Sequence, residues 1–259
     1  MDTDTAAVEI RRSIIRAAGG PKGAHVGGSL SCADILAVLH FDVMGERDTF
    51  ILSKGHAAPA LYATLAVRGL LEAEELDTYA RPGSRLFGHP RQGIPGVAFP
   101  TGSLGHGLGL AIGTALGERL DGGTGRVYVL LGDGELQEGS VWEAAMYAGT
   151  RGLDNLVAVV DRNSLQITGS TEERAGLEPL AGRFAAFGWE TRDVDGHDTC
   201  ALSAAARGPA QRRPLAVIAR TVKGSGVPFL EGKTSSHYAT LRPELVRRAL
   251  TAVEARRPT

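Results

Sequence analysis

The sequence predicts an α/β fold, a parallel sheet flanked by helices on both faces. Segments 126–131, 155–161 and 215–220 are almost continuously apolar, as strands covered on both sides must be. They alternate with segments of helical periodicity, the order that builds βαβ units. Glycine is abundant at 35 of 259 residues, about twice the average usage of roughly 7%, which implies many tight turns and close backbone approaches.

The elements follow in chain order. Val8, Ile14 and Ile15 among charges predict a helix over 5–18. Ser31 and Asp34 resemble a capping box opening a buried helix through Ile35 and Leu39. Phe50-Ile51-Leu52 is a short strand, followed by helices over about 59–68 and 72–79. Residues 81–107, rich in Gly and Pro, form a long structured loop, and loops of that length usually carry function. Helices are expected over 108–120, 138–152, 178–187 and 200–206, and strands over 126–131, 155–161, 189–194 and 215–220. Residues 243–256 read as an exposed helix with Pro in its first turn.

Charge narrows the partners. The 28 Lys+Arg residues against 29 Asp+Glu leave a net charge of -1, without the basic excess of a nucleic-acid binder. The basic residues divide as 24 Arg and 4 Lys. No apolar run is long enough to span a membrane, and the acidic N-terminus is unlike a signal peptide, so a cytoplasmic protein is expected. Cys32 and Cys200 are far apart and unpaired by motif, and are read as buried free thiols. Two glycine motifs fail their templates. Gly105-His-Gly-Leu-Gly109 follows a loop rather than a strand and lacks dinucleotide-loop spacing, and Gly226 stands one residue too far from Gly232-Lys-Thr234 for a phosphate loop.

The informative motif is Gly132-Asp-Gly134, at the carboxyl end of the strand 126–131, where open α/β sheets bind ligands. The next strand ends at Asp161-Arg-Asn163. Two adjacent strand ends can thus offer Asp133 and Asn163 to one point, as hard oxygen donors suited to Mg²⁺ beside a phosphate. The backbone N–H groups of Gly132, Asp133 and Gly134, with the helix that follows, would favour a diphosphate there.

Further blocks stand in order around this motif: Ala24-His-Val-Gly-Gly-Ser-Leu30, Phe50-Ile-Leu-Ser-Lys-Gly-His-Ala57, Phe87-Gly-His-Pro90, Thr101-Gly-Ser-Leu-Gly105, Gly132-Asp-Gly-Glu-Leu-Gln-Glu-Gly139 and Trp142-Glu-Ala144. With them the chain resembles the amino-terminal half of transketolases over nearly its full length. The resemblance implies a thiamine diphosphate-binding fold, with Asp133, Asn163 and the Leu165 carbonyl holding Mg²⁺, or Ca²⁺ or Mn²⁺. It implies that His25, His56 and His89 line the thiazolium and substrate channel, and that His237 reaches the diphosphate. Gly102, Ser103 and Leu104 would approach the cofactor, as would Gly132, Gly134 and Glu135. Glu138 matches the family glutamate at the contact between paired active sites, where it would help communicate protonation. Two positions depart from the pattern: Arg162 stands where the wider motif often has Asn, and His106 where many members have Gln.

By the same resemblance, the pyrimidine-binding and carboxy-terminal domains are expected on a separate subunit, with residues 1–259 a single diphosphate-binding domain in an α₂β₂ heterotetramer. The implied reaction moves a two-carbon ketol unit from a ketose to an aldehyde through a covalent thiamine diphosphate adduct. An acyloin-forming or decarboxylating relative, or a noncatalytic regulatory subunit, is the alternative.

Overall fold

The computed structural model describes residues 1–209 and 212–257, so the last two positions of the expected domain and positions 210 and 211 lie outside it. Helix α1 (Thr3–Ala18) opens on Asp2, whose carboxylate accepts from the Thr5 N–H. Helices α2 (Val26–Ser31) and α3 (Ala33–Val38) follow, the latter unwinding into a wider turn at Leu39–Val43. Strand β1 (Thr49–Leu52) leads through a 3₁₀ turn at Gly55–Ala57 into α4 (Ala58–Val67). After the long loop come α5 (Gly107–Leu120), β2 (Val127–Gly132), a 3₁₀ turn at Gly134–Gln137 and α6 (Gly139–Thr150). Strand β3 (Leu156–Arg162) is followed by a two-residue hairpin pair, β4 (Leu165–Gln166) and β5 (Gly169–Ser170), and by α7 (Thr171–Ala175). The chain continues through α8 (Leu180–Ala186), β6 (Glu190–Asp195), α9 (Thr199–Ala206), β7 (Leu215–Arg220) and α10 (Pro243–Glu254).

Five strands form one parallel sheet in the order β1-β2-β3-β7-β6. Alternate residues point to opposite faces, and both faces are covered. Leu52, Tyr128, Leu130, Val157 and Val159 pack into one apolar cluster, while Ile51, Val129, Leu131, Ala158 and Val160 pack into another. That is the physical reason these strands read as continuous apolar runs rather than as alternating ones.

Several expectations need correction. Ser31 is not a helix cap: α3 begins at Ala33 without a side-chain cap, and the Ser31 hydroxyl donates to Asp161 at 2.6 Å. Asp34, the supposed capping partner, is held by Arg11 through two bonds of 2.7 and 2.5 Å. Residues 72–79 form a 3₁₀ stretch over Ala73–Thr78. Strand β6 is an edge strand, only half-buried. Helix α10 is not exposed all round, because Ala249 and Val253 are buried where it packs on α1. Cys32 is buried, but Cys200 is exposed. Helix α2 has no counterpart among the expected elements, since Val-Gly-Gly-Ser carries weak intrinsic helix propensity and all six of its residues owe their order to burial.

Candidate active site

The register aligns Gly132 on β2 with Asp161 on β3, so the residues just beyond each strand become neighbours. Asp133 is 2% exposed. One carboxylate oxygen accepts from the Gly134 N–H at 2.8 Å, and the other accepts from Ser164 N–H at 2.5 Å and Arg162 Nη1 at 3.2 Å. Ser164 takes a left-handed φ of 66°, which reverses the chain after β3. The reversal brings the Leu165 carbonyl to the same opening, where it accepts from Lys223 Nζ at 3.1 Å. Asn163 is buried beside it, its Oδ1 accepting from Leu165 N–H at 3.2 Å and its Nδ2 donating to Asp161 at 3.3 Å.

These groups line a cavity of about 430 Å³ that also holds Gly28, Lys54, His56, His89, Gly102, Leu104, Gly132, Gly134, Glu135, Glu138 and His237. His25 stands against its rim, its ring centroid 5.6 Å from that of His56, 5.8 Å from His89 and 5.4 Å from His237. Ser103 faces a neighbouring depression with Gly102 and His106 instead. Glu135 lines the cavity, but both of its oxygens are engaged within the protein: Oε2 accepts from Gly132 N–H at 3.0 Å, and Oε1 from Gly105 N–H at 3.0 Å and from the Ser53 hydroxyl. Burial raises its pKa. It braces the loop before α5 against the ends of β1 and β2. Glycine is required along that loop. Gly105 has φ +83° and a Cβ there would lie 2.8 Å from Glu138 Cβ, while one on Gly107 would lie 2.3 Å from Ser53 Cβ.

Three side chains outside the set expected from sequence complete the site. Lys54 is 1% exposed and pairs with Asp161, which is fully buried and also accepts from Ser31 and Thr221. Burial opposes ionisation of Asp161, yet the Lys54 ammonium and these hydrogen bonds hold its pKa below the usual range. Lys223, 3% exposed, has no carboxylate within ion-pair distance among the described residues. Burial, followed by repulsion from Lys54, brings its pKa down to about 8. The signal was present in composition: a chain with 24 Arg and 4 Lys places two of those lysines, buried, at this site.

The histidines form a cluster with Lys54 and Lys223 nearby. Burial, reinforced by His89 and Lys223, brings His25 down to about 4. Burial with Lys223 and His25 does the same to His237, and burial with Lys54 holds His56 well below its ordinary value. The Nδ1 atoms of His25 and His237 are buried without a partner among the described residues, an arrangement that is costly unless a ligand engages them. At pH 6 both rings are therefore expected to be neutral, with NMR C2–H resonances that move only near pH 4. A midpoint near 6.5 would contradict this. The folded values lie below the unfolded value of about 6.5, so the unfolded chain binds protons first. Stability accordingly falls as the pH drops from about 6.5 toward 4.

Comparison with known proteins identifies the family and the fold. The family described as transketolase, thiamine diphosphate binding domain, matches residues 5–254. The chain is 42% identical to the 6-deoxy-6-sulfo-D-fructose transketolase subunit SqwG of Clostridium sp. (strain MSTE9), covering 95% of this chain and 94% of that one. It is 39% identical to a subunit of the apulose-4-phosphate transketolase of Phocaeicola vulgatus, covering 95% and 92%. Its backbone superimposes on transketolase from Campylobacter jejuni with a TM-score of 0.86 at 31% identity, over 98% of this chain but 42% of that one. A shared backbone and a shared sequence, both running through the strand ends where Asp133 and Asn163 meet, make this chain a member of the transketolase family, carrying its thiamine diphosphate-binding domain.

Proposed function

We propose that this chain is the diphosphate-binding subunit of a two-subunit transketolase, which transfers a two-carbon ketol unit from a ketose to an aldehyde acceptor. The observation that carries the proposal is the meeting, in one cavity, of three hard oxygen donors, a lysine ammonium and the His237 imidazole with its unpartnered Nδ1, with His25 beside it. Asp133, Asn163 and the Leu165 carbonyl are the donor types that Mg²⁺ prefers, and Ca²⁺ or Mn²⁺ would accept the same set. Lys223 supplies positive charge for a diphosphate, whereas two of the three amides expected from sequence to do so are already engaged, Gly132 N–H with Glu135 and Gly134 N–H with Asp133. Bound there, thiamine diphosphate supplies an electron sink for cleavage of a carbon–carbon bond beside a carbonyl. The protein's part is to place the substrate and its protons: the unpartnered Nδ1 atoms of His25 and His237 can each hydrogen-bond a substrate hydroxyl, and burial keeps both rings neutral.

A separate subunit carrying the pyrimidine-binding and carboxy-terminal domains completes the proposed site, within an α₂β₂ heterotetramer. In its favour, the two relatives named as subunits are covered over more than nine tenths of their length, against 42% for the single-chain structure. One face is also built for close approach. Gly109, Gly113 and Gly117 recur every fourth residue along α5, and an added Cβ would meet nothing within 4 Å at any of them. On α6, Met146 and Tyr147 are exposed, and Glu138 is exposed at its start. No helix of the described residues is long and apolar enough to cross a membrane, in keeping with a cytoplasmic enzyme. The test is to assay ketol transfer by the purified chain alone and after mixing with the complementary subunit. Turnover is expected only in the mixture, and full turnover by the chain alone would refute the division of the site.

A further inference from the structure

We infer that His197, outside the cavity, is a positioning residue for cofactor binding, because it sets the backbone from which Lys223 reaches the site. The inference rests on the proposed cofactor function. His197 follows β6 in a turn held by the bonds of Gly196 N–H to Arg220 O at 2.7 Å and of His197 N–H to Asp195 at 2.8 Å. Its Nε2 accepts the Val222 N–H at 2.9 Å, and its Nδ1 lies 2.7 Å from Asp34 Oδ2. A backbone amide can only donate, so Nε2 carries no proton, and the ring's one proton is on Nδ1, donated to Asp34. Asp34 is in turn gripped by both Nη atoms of buried Arg11, whose Nε donates to Ser225 O at 3.3 Å.

Arg11, Asp34 and His197 therefore hold the segment after β7 at Val222 and at Ser225. Gly224 N–H donates to Gly27 O at 3.0 Å between these points, and Lys223 is the residue whose ammonium reaches the Leu165 carbonyl. The division of labour is uneven. Arg11 and Asp34 satisfy each other in the interior, with side chains 4% and 9% exposed, whereas the His197 side chain is 23% exposed and is the side chain that receives the Val222 N–H. Removing its acceptor leaves the buried ion pair intact and frees the backbone one residue from Lys223. Groups that orient a ligating residue typically account for about 10–100-fold in affinity.

The experiment measures thiamine diphosphate binding by calorimetry with Mg²⁺ on the complex of this chain with its complementary subunit. His197→Asn keeps a donor toward Asp34 but loses the acceptor for Val222, and His197→Gln keeps an acceptor at the Nε2 position. His197→Asn is expected to weaken binding about 10-fold, His197→Gln to recover most of that loss, and His197→Asn added to Lys223→Met to cost nothing beyond Lys223→Met alone. A merely structural residue would not give that non-additivity or that pattern of rescue. Binding by His197→Asn equal to wild type, equal losses in the Asn and Gln variants, or additive losses with Lys223→Met would overturn the inference. A wild-type complex that binds no thiamine diphosphate would overturn the proposed function itself.

Discussion

If Asp133 holds Mg²⁺ as proposed, Asp133→Ala is expected to weaken thiamine diphosphate binding in the presence of Mg²⁺ by about 100-fold or more, since even the outer partners of metal ligands typically account for 10–100-fold. The effect should change character when the cation is chelated. Asp133 is a carboxylate lining the cavity proposed to receive the diphosphate, so without the cation its removal would relieve repulsion, and the variant is expected to bind the diphosphate no more weakly than wild type. The fold is expected to tolerate the change. Arg162 loses one oxygen of Asp133 but keeps Glu172 at 2.7 Å, Glu178 at 3.2 Å and the Thr171 hydroxyl at 2.7 Å, so no buried charge is stranded. Titration calorimetry with and without EDTA checks the sign. Equal losses in both conditions would mean that Asp133 acts by shaping the loop and not by holding a cation.

The parts of this molecule that can be read from sequence are those whose cause is local. β2, β3 and β7 are buried on both faces, and each announces this in its own residues. Asp133 and Asn163 can be brought together on paper because parallel neighbours share an end, a consequence of topology alone. His25, His56 and His89 stand out through ordered blocks shared with a family, and the rings of His56, His89 and His237 each lie within 6 Å of that of His25. What escapes has distant causes. Ser31 resembles a cap because its neighbours along the chain suit one, but Asp161, 130 residues away, claims its hydroxyl. Asp34 likewise belongs to Arg11 and to His197, 163 residues on. No periodicity reports such pairings. The β4–β5 hairpin, two residues per strand, is too short to carry a pattern, and the left-handed turn at Ser164 just before it falls on a residue type that does not announce one.

Lys54→Met is expected to destabilise the fold by about 3–5 kcal/mol, the usual result of stranding one member of a buried ion pair. The side chains of Lys54 and Asp161 are 1% and 0% exposed, and the lysine also donates to Gly28 O at 2.8 Å. Without the ammonium, Asp161 keeps neutral donors from Ser31, Thr221 and Asn163, which satisfy its lone pairs but not its charge. The pH dependence identifies the mechanism. In the wild type the depressed Asp161 pKa contributes stability that is complete above the unfolded value of about 3.9 and disappears as the pH falls through the folded value. In the variant, burial without a counter-charge raises the folded value above the unfolded one. The native state then binds the extra proton, so stability declines as the pH rises from about 4 toward 7, opposite in sign to the wild-type contribution. Urea unfolding at pH 5 and pH 7 should therefore show the deficit shrinking at the lower pH. The double variant Lys54→Met with Asp161→Leu removes both charges and should recover part of the loss, because buried pairs are often replaced by apolar groups at little net cost. A deficit independent of pH and undiminished in the double variant would assign the effect to lost packing around the Lys54 stem rather than to the charge it neutralises.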